Sequence, residues 1–597
     1  MACRGAGHPL HDPNYLGFEN STAGAPPVGW SSGAGALVDG QVAHSGRNSL
    51  RIDRVAGSAG TFTTINLTLP MDFAARNVVW TGWVRTENVD GFAAIWLRED
   101  GDTTGPALAF ATTQTLNVSG TQNWTQYSIS VPELTDGKTV TFGFLLTGTG
   151  RAWVDDLQLL ADTVPVAQAA NRVTTPLDTD REFDSGSKIS IPALSDLQVQ
   201  NLATLARVWG FLKYHHPAVT AGKRHWDYDL FRVMPQVLAA GSTDSSLAAI
   251  SNWMGGLEAP QPCTNCATLD PNSLQLEPEL DWIKDEAPVG RSLSQALQSI
   301  YRNRTTASAQ FYVSLVPGVG NPLFDHELPY GNLRLPDAGY QMLALFRFWN
   351  MVAYFSPNRT IMADDPSGSR DYWARVLVES IPRIALATNS VSYQQELIRF
   401  IAKINDTHAN LWTSIAARPP IGACYLPVDV RFVEGSPVVL RYTSVTGGPA
   451  SGLLPGDVIQ QLDGVAVSDL VAQWTPLYAD SNQAARLRDM GNYLTRGACG
   501  AASAVVERDG RTMALSPVRM PASSLDFSAT YTHDRPGETF QMLSPDVAYL
   551  KLSSVKSADA AKYVQAAAGS KGLIIDIRIT RRSLWCLRWA RCWSPSR

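Results

Sequence analysis

No apolar run in this chain approaches the ~18 residues needed to cross a bilayer, so a membrane is not an expected partner. Cysteine is scarce, seven in 597 residues, which excludes a scaffold built from disulfides. Charge is thin at 17% of residues, and the net charge of -5 comes without a basic face. Neutralising phosphates needs clustered Lys and Arg, and the one cluster lies in the last twenty or so residues, so nucleic acid is excluded as a partner. The opening stretch from Met1 to Asp12 has no apolar h-region, so the chain as written encodes no secretory signal, and export requires a start further upstream. What is there is an ordinary globular composition, 45% apolar, in a length that suggests about four domains.

Two cysteine pairs stand out. Cys263 and Cys266 form a Cys-x-x-Cys in a loop rich in Pro, Thr and Asn, and Cys424 and Cys499 bracket a later domain. Both pairs read as disulfides, which favours an oxidising compartment. Two alternatives stay open for the first pair: a thioredoxin-like redox site, which needs a strand before it and a helix after it, and zinc, which needs a second ligand pair.

Residues 14–162 alternate polar and apolar positions between Gly, Asn, Asp and Ser turns, as in Ser49 to Ile52, Trp80 to Val84, Ala93 to Leu97, Trp124 to Ser130 and Thr139 to Leu146. Many short strands with turn signals between them predict an antiparallel β-sandwich. Leu16 to Glu19, Gly29-Trp30, His44-Ser45-Gly46 and Trp153 to Leu157 resemble the first and last strands of galactose-binding-like jelly rolls, the fold of many carbohydrate-binding modules. That resemblance implies glycan as a partner. It also implies a structural Ca²⁺ held by acidic residues near the two ends of the domain, for which Glu19 and Asp156 are the candidates. The other reading leaves Glu19 solvated at a strand end and Asp156 in a turn. Trp80, Trp83, Trp96 and Trp124 lie in alternating strands and are expected in the core.

Residues 163–193 are polar and punctuated by Pro and Ser, and read as a linker. Helical periodicity follows: Leu202, Leu205, Trp209 and Leu212 share one face after a Ser195/Asp196 cap, and the helix stops before Pro217. The pattern Leu205-x-Arg207-x-Trp209-x4-Tyr214-x2-Pro217 returns as Leu345-x-Arg347-x-Trp349-x4-Tyr354-x2-Pro357 at a constant offset of 140 residues. Each copy leads into a further helix, carrying Met234-Pro235 in one and Ile381-Pro382 in the other. Residues 194–415 are therefore expected to be a duplicated helical region. His215-His216 does not make a metal site, because adjacent helical residues do not share a face. His326-Glu327 opens a zincin-like run that fails at Tyr330, where the second His belongs, and at Pro329.

Ala450 to Ile459, with Leu462 to Val467, resembles the PDZ domain of bacterial proteases, here spanning 424–520. Such domains bind an extended peptide as an added strand and hold its terminal carboxylate with backbone N–H groups, a role the resemblance gives to Gly452, Leu453 and Leu454. Upstream, Phe400 to Leu411 with Asp406-Thr407-His408 resembles the helix end and Asp-x-His turn that precede the PDZ domain in tail-specific (C-terminal processing) serine peptidases. Read as chemistry, Asp406 and His408 make a base and its orienter; capping is the expected role, since no nucleophile lies nearby. Downstream, Val547 to Ser553 and Gly572 to Arg578 flank a helix from about Ala558 to Ala568, which resembles the opening of that family's catalytic domain, 540–578. The resemblance covers about residues 400–578.

It implies a protein or peptide substrate, no required cofactor, and a periplasmic or extracellular location. In the family a Ser further along attacks the peptide carbonyl and a buried Lys acts as base. Neither has a matching position here, so no catalytic residue is assigned. Ser553-x-x-Lys556 and Ser185-x-x-Lys188 fit a Ser-x-x-Lys pattern, the first at an edge-like strand and the second in the linker, and neither is expected to be a dyad. The fold class expected is multidomain α+β: an N-terminal jelly-roll β-sandwich, a duplicated α-helical region, a PDZ domain and an incomplete α/β catalytic domain. The expected function is that of a tail-specific serine peptidase, inert as written. A non-enzymatic peptide- and glycan-binding protein is the alternative, and a Cys/His zinc protein, with stoichiometric metal, is the third class.

Residues 579–597 hold three Trp, several Arg and no acidic residue. Trp585, Trp589 and Trp593 are spaced as on a basic amphipathic helix lying on a membrane. The rival reading is a shifted frame: read one base earlier, with permitted codons, the segment decodes as Asn-Tyr-Pro-Ser-Glu-Phe-Val-Val-Phe-Ala-Leu-Gly, a turn and apolar helix similar to the family's continuation. Loss of one base after the Arg578 codon is the hypothesis preferred here. Resequencing the gene is expected to show an open shifted frame encoding Ser and Lys beyond that codon; stops in every frame contradict it.

Overall fold

The computed structural model describes residues 16–577 apart from 102–106, 133–136, 263–277, 305–309, 317, 331–332, 334, 363–368, 412–415, 529–535 and 556–558. Cys263, Cys266, Lys556, Arg578 and the 579–597 segment therefore lie outside the described residues. The chain divides into two compact units, Met1–Tyr393 and Gln394–Arg597.

The first unit opens with ten strands: β1 Ser31–Ser32, β2 Ala36–Asp39, β3 Ser49–Arg54, β4 Phe62–Pro70, β5 Asn77–Asp100, β6 Ala109–Thr112, β7 Val118–Pro132, β8 Thr139–Thr147, β9 Gly150–Ala161 and β10 Val164–Pro165. The ladder is continuous, but β5 belongs to two layers. Its first half pairs with β7 and β9, through Trp80↔Ile129 and Trp80↔Leu159. Its second half pairs with β6 and β8, through Leu97↔Ala111 and Leu97↔Phe142. One layer thus runs β7-β5-β9-β3-β2 and the other β1-β4-β8-β5-β6. The expected β-sandwich is present. Trp80 to Val84 and Ala93 to Leu97, which read as separate strands, are two halves of one strand that bends at Asn88 (φ 51°). Alternation sends Leu50, Ile52, Trp80, Val84, Ile95, Leu97, Phe142 and Phe144 into a shared core, where Trp80 meets Phe142 at 4.5 Å between ring centres. Full burial of each such side chain contributes about 1.5–3 kcal/mol. Of the four tryptophans expected in that core only Trp80 is there; Trp83, Trp96 and Trp124 are half-buried.

Residues 163–193 are a packed strap, contrary to the linker their polarity suggested. Leu177, Phe183, Ile189 and Ile191 are buried among the polar residues, Phe183 packs edge-on against Tyr228 at 5.3 Å, and the Tyr228 hydroxyl donates to Asp184 (2.5 Å). Lys188 lies over the Phe183 ring, which removes Ser185/Lys188 from consideration as a dyad.

The helical region carries the duplication into three dimensions. Its first copy has α1 Asp196–His215, α2 Trp226–Leu238 and α3 Thr243–Gly255; its second has α4 Ala338–Phe355, α5 Ser369–Ala385 and α6 Ser390–Ala402. The boundary between the two compact units falls inside α6, not at 415. The Ser195/Gln198 capping box starts α1 and His216 ends it before Pro217, as the sequence predicts. In the first copy the Trp209 indole donates to the Trp226 carbonyl (3.0 Å) and the Trp226 indole returns a bond to the Trp209 carbonyl (3.1 Å). Trp349 and Trp373 repeat this reciprocal pair at 2.8 and 3.0 Å. Trp226 and Trp373, Pro235 and Pro382, and the helix caps Ser242 and Asn389 all stand at an offset of 147, so seven residues were added after the first helix of the second copy.

Equivalent positions of the two copies also touch. Gly210 of α1 faces Asn350 of α4, which would collide with any Cβ there, and Tyr214 meets Tyr354 at 5.3 Å. Contact between equivalent residues marks a local two-fold axis, the arrangement of a self-complementary pair.

Beside that axis Lys213 is fully buried and pairs with Glu327, which also receives Arg347 at 2.9 Å. Arg347 pairs in turn with Asp227, and Tyr330 donates to Asp227 at 2.8 Å. Burial pushes the Lys213 ammonium below its ordinary value, and the Glu327 and Asp227 carboxylates oppose it. Two cations and two anions cancel, so removing any one leaves a buried charge uncompensated, which costs about 3–5 kcal/mol. This is the structural role of Glu327 and Tyr330. His215 Nδ1 faces the Phe211 carbonyl (2.8 Å), whereas His216 caps the next turn by accepting from the Ala218 N–H (3.2 Å), so the histidine pair is structural.

In the second unit β13 Cys424–Tyr425, β14 Val428–Val433, β15 Ser436–Tyr442, β16 Val458–Leu462, β17 Val465–Ala466, α7 Val467–Trp474, α8 Gln483–Tyr493, β18 Arg496–Gly497, β19 Gly500–Ala501, β20 Ala504–Arg508, β21 Arg511–Leu515 and β22 Val518–Pro521 enclose a core around Leu426, Leu453, Ile459, Met490 and Val506. The antiparallel order is β14-β15-β16-β20-β21, with a turn of two positive-φ residues, Asp463 and Gly464, between β16 and β17. The Cys424–Cys499 disulfide is formed. After it β23 Phe540–Ser544, β24 Val547–Lys551, α9 Ala560–Ala567 and β25 Gly572–Asp576 make a three-stranded sheet in which β24 and β25 run parallel. Among the described residues no helix is long and apolar enough to cross a membrane.

His215 and His216 are both held down to about 4, first by burial, against an ordinary 6.5. Between these values the unfolded chain binds more protons than the folded one, so stability falls as the pH drops from 6.5 toward 4. His215 alone accounts for about 3 kcal/mol of that loss. Urea titrations across this window are expected to show the slope, and His215→Phe, which keeps the ring packing, is expected to flatten it; an unchanged slope contradicts the assignment.

Candidate functional site

The outer face of the β7-β5-β9-β3-β2 layer gathers aromatic and charged side chains that alternation turns away from the core. Its shape starts from a bulge in β9. Thr81 pairs with Gln158 and Trp83 with Asp155, so Asp156 and Leu157 together oppose Gly82. Asp156 takes the left-handed conformation (φ 47°) that lets the extra residue fit, and Gly82 is required because a Cβ would strike Leu157. The bulge resets the parity of β9, so that Leu157 and Leu159 point inward on one side of it and Val154 and Ala152 on the other.

The two aspartates of the bulge hold the loop between β2 and β3. Asp155 Oδ2 accepts from the N–H groups of His44 (2.7 Å) and Ser45 (3.1 Å), while Asp156 takes His44 Nδ1 and the Ser45 hydroxyl, each at 2.6 Å. Burial holds the Asp155 carboxyl above its ordinary value, against the pull of three backbone N–H groups. From the other side Glu19 Oε1 accepts from the N–H groups of Arg47 (2.9 Å) and Asn48 (3.0 Å). Burial raises the Glu19 pKa, but these donors outweigh it and the net shift is downward. Glu19 and Asp156, the expected calcium ligands, thus clamp successive residues of one loop. Their oxygens take N–H and O–H donors of that loop. Among the described residues no group of three or more His, Cys, Asp or Glu side chains is placed to hold a metal. Asp156 Oδ1 and Oδ2 and Glu19 Oε1 thus each already accept a bond from within the loop.

The clamped loop lays the His44 ring on Trp83, 4.0 Å between centres and 15° from parallel, with Trp124 edge-on at 5.6 Å. Arg85, two residues along β5, spreads its guanidinium over Trp153 at 5.4 Å. The Trp153 indole donates to Asp39 (2.9 Å), which also pairs with Arg51 (2.9 Å). Arg51 and Arg151 converge on Asp53, at 2.8 and 3.2 Å, and Arg151 reaches Glu87 at 3.5 Å. Burial raises the Asp39 carboxyl, but the Trp153 N–H, two backbone N–H groups and Arg51 hold it below its ordinary value. The result is a rigid surface of half-buried indoles beside ordered hydrogen-bonding groups.

The sequence contains a signal for this face that the core reading overlooked. Trp80 and Trp83 are an odd number of residues apart, so one strand cannot bury both. The same holds for Trp124 and Tyr127, of which Tyr127 packs against the core.

The expected peptide-end residues lie in the second unit. Leu453 is fully buried, and the N–H groups of Gly452, Leu453 and Leu454 already have acceptors in the Pro449 carbonyl (3.3 Å), the Ser451 hydroxyl (3.2 Å) and the Asp457 carboxylate (2.8 Å). Arg508 fastens the same turn through Asp457 (2.7 Å) and the Gly452 carbonyl (2.8 Å). Capturing a carboxylate there requires those N–H groups to leave their acceptors. Asp406 accepts from the His408 N–H at 2.9 Å, and the His408 side chain is 97% exposed, as in a surface turn. Ser553 is buried in the short turn Leu552–Ser554.

No family model matches the chain. The uncharacterized HTH-type transcriptional regulator YbfP of Bacillus subtilis (strain 168) is 25% identical over 120 residues, 20% of this chain and 40% of its own length, so the chain spans less than half of that relative. Among solved structures, TmCBM61 in complex with β-1,4-galactotriose is 16% identical with a TM-score of 0.19, over 25% of this chain and 95% of that one. The CBM22-1 xylan-binding domain of Paenibacillus barcinonensis Xyn10C is 18% identical (TM-score 0.17; 23% and 89%), and a cyclase from Fischerella sp. TAU is 17% identical (TM-score 0.20; 25% and 94%). Likenesses of this depth do not say what the face binds.

Gly46 adopts φ 61°, and a Cβ there would run into the Glu19 carboxylate. Gly46→Ala is expected to cost the sandwich about 1–3 kcal/mol and to change the near-ultraviolet circular dichroism as His44 leaves Trp83. Unchanged melting and spectrum would contradict the clamp.

Proposed function

We propose that this chain is a recognition protein that binds glycan on the outer face of its N-terminal sandwich. The observation that carries this is the placement of Trp83 and Trp124, half-buried on neighbouring strands of one sheet face, with Arg85 on the same strand as Trp83 and opposite Trp124. A pyranose presents an apolar C–H face and a rim of hydroxyls, and indoles beside fixed polar groups match both. The galactose-binding-like reading of the sandwich agrees with this. The Cys424–Cys499 disulfide supports an oxidising location, periplasmic or extracellular.

A second reading assigns the rest of the chain to the support and recognition modules of a tail-specific serine peptidase. The parallel β24-α9-β25 unit favours it, because that arrangement opens an α/β domain. The six-stranded sheet with α7 and α8 is then the PDZ domain, with protein or peptide as its partner.

Affinity electrophoresis of the full chain against a panel of soluble polysaccharides is expected to show retardation by at least one of them. Trp124→Ala is expected to weaken it roughly tenfold, about 1.4 kcal/mol, with melting unchanged. No retardation by any polysaccharide contradicts the glycan reading. Labelled peptides that bind only with a free C-terminal carboxylate would support the second.

A further inference from the structure

The carboxylates of the outer face are already engaged: Asp39 takes Arg51, Asp53 takes Arg51 and Arg151, Glu87 takes Arg151, and Asp155 and Asp156 hold the His44–Ser45 loop. Arg85 differs from the other two guanidinium groups. Among the described residues it forms no ion pair, and the face of the Trp153 ring is its one aromatic contact. The register shows why its position matters. Arg85 pairs with Trp153 on β9, and on β7 it stands opposite Asn123 and Trp124, where a second irregularity places two residues against one between Val84↔Thr125 and Thr86↔Gln122. A cation therefore sits in the central strand with an indole one strand away on either side, a spacing of about 4.8 Å. Trp153 is 3% exposed, beneath Arg85; Trp124 is half-buried and open to a ligand.

Resting on the glycan reading, we propose that the sugar this face takes carries a carboxylate: a uronate residue whose ring stacks on Trp124 and whose carboxylate is held by Arg85. The planar guanidinium suits a carboxylate because two parallel N–H groups match its two oxygens, and its contact with the Trp153 ring seats it on the face. A neutral sugar satisfies the indole and leaves the cation without a partner; an acidic sugar satisfies both.

The test is titration calorimetry of the full chain with three oligouronates, of galacturonate, glucuronate and mannuronate, against the methyl esters and the neutral oligosaccharides of the same length. At least one oligouronate is expected to bind tenfold or more tightly than its ester and its neutral counterpart. Raising sodium chloride from about 50 to 500 mM is expected to weaken only the acid. Arg85→Gln is expected to abolish the preference for the acid while leaving any neutral binding, and Arg85→Lys to restore part of it, both with unchanged melting. Equal or stronger binding of the neutral sugar, or an acid preference that survives Arg85→Gln, overturns the uronate proposal and leaves the glycan reading standing. If no saccharide of either kind binds, the glycan reading itself fails.

Discussion

The strict alternation of side chains along β5, broken by its crossing from one layer to the other, is the constraint on which the sandwich depends. Because successive residues of a strand face opposite ways, burying Trp80 and Val84 forces Trp83 and Arg85 outward. The bulge in β9 then keeps both sides of that strand consistent: its extra residue restores inward leucines and leaves two adjacent aspartates where the loop from β2 needs acceptors. Core and outer face are therefore one solution to one packing problem. A slip of one residue would bring Trp83 and Arg85 into the core and expose Trp80 and Val84.

The helical region solves a different problem with one device used twice. A buried indole N–H needs an acceptor, and a helix carbonyl has a second lone pair to offer it. Trp209 with Trp226, and Trp349 with Trp373, meet that need reciprocally and tie together the first two helices of each copy. Divergence between the copies is concentrated where they meet. Arg347 enters the ionic cluster with Asp227 and Glu327, whereas its counterpart Arg207 lies over Trp282 at 4.6 Å. One ancestral position thus serves buried charge in one copy and aromatic packing in the other.

The sequence was legible where periodicity and turn chemistry acted alone. The strands, the Ser195 cap, the stop before Pro217, the Asp463-Gly464 turn and the 140-residue duplication all follow from local rules that tertiary contacts do not override. It was less legible where one polar-looking segment carried a few decisive apolar residues, as with Phe183, Ile189 and Ile191 in the strap. The second tryptophan of each reciprocal pair escaped because seven added residues shift the later helices out of the constant offset. The outer-face tryptophans were misplaced because aromatic content was weighed before parity. Glu19 and Asp156 both hold the loop between β2 and β3, Glu19 through backbone N–H groups and Asp156 through the His44 and Ser45 side chains, contacts that leave no trace in a single sequence.

These features make the sandwich a preorganised surface: its loop is clamped, its indoles are seated and its charges are paired before any ligand arrives. Preorganisation of this kind lowers the ordering cost of binding. The most direct test is hydroxyl-radical footprinting of the full chain with and without a saturating bound saccharide. The account predicts protection of Trp83, Trp124 and His44, with Trp30 and Trp80 unchanged in the core and the second unit unaffected. Protection that spares Trp83 and Trp124 and falls elsewhere would contradict it.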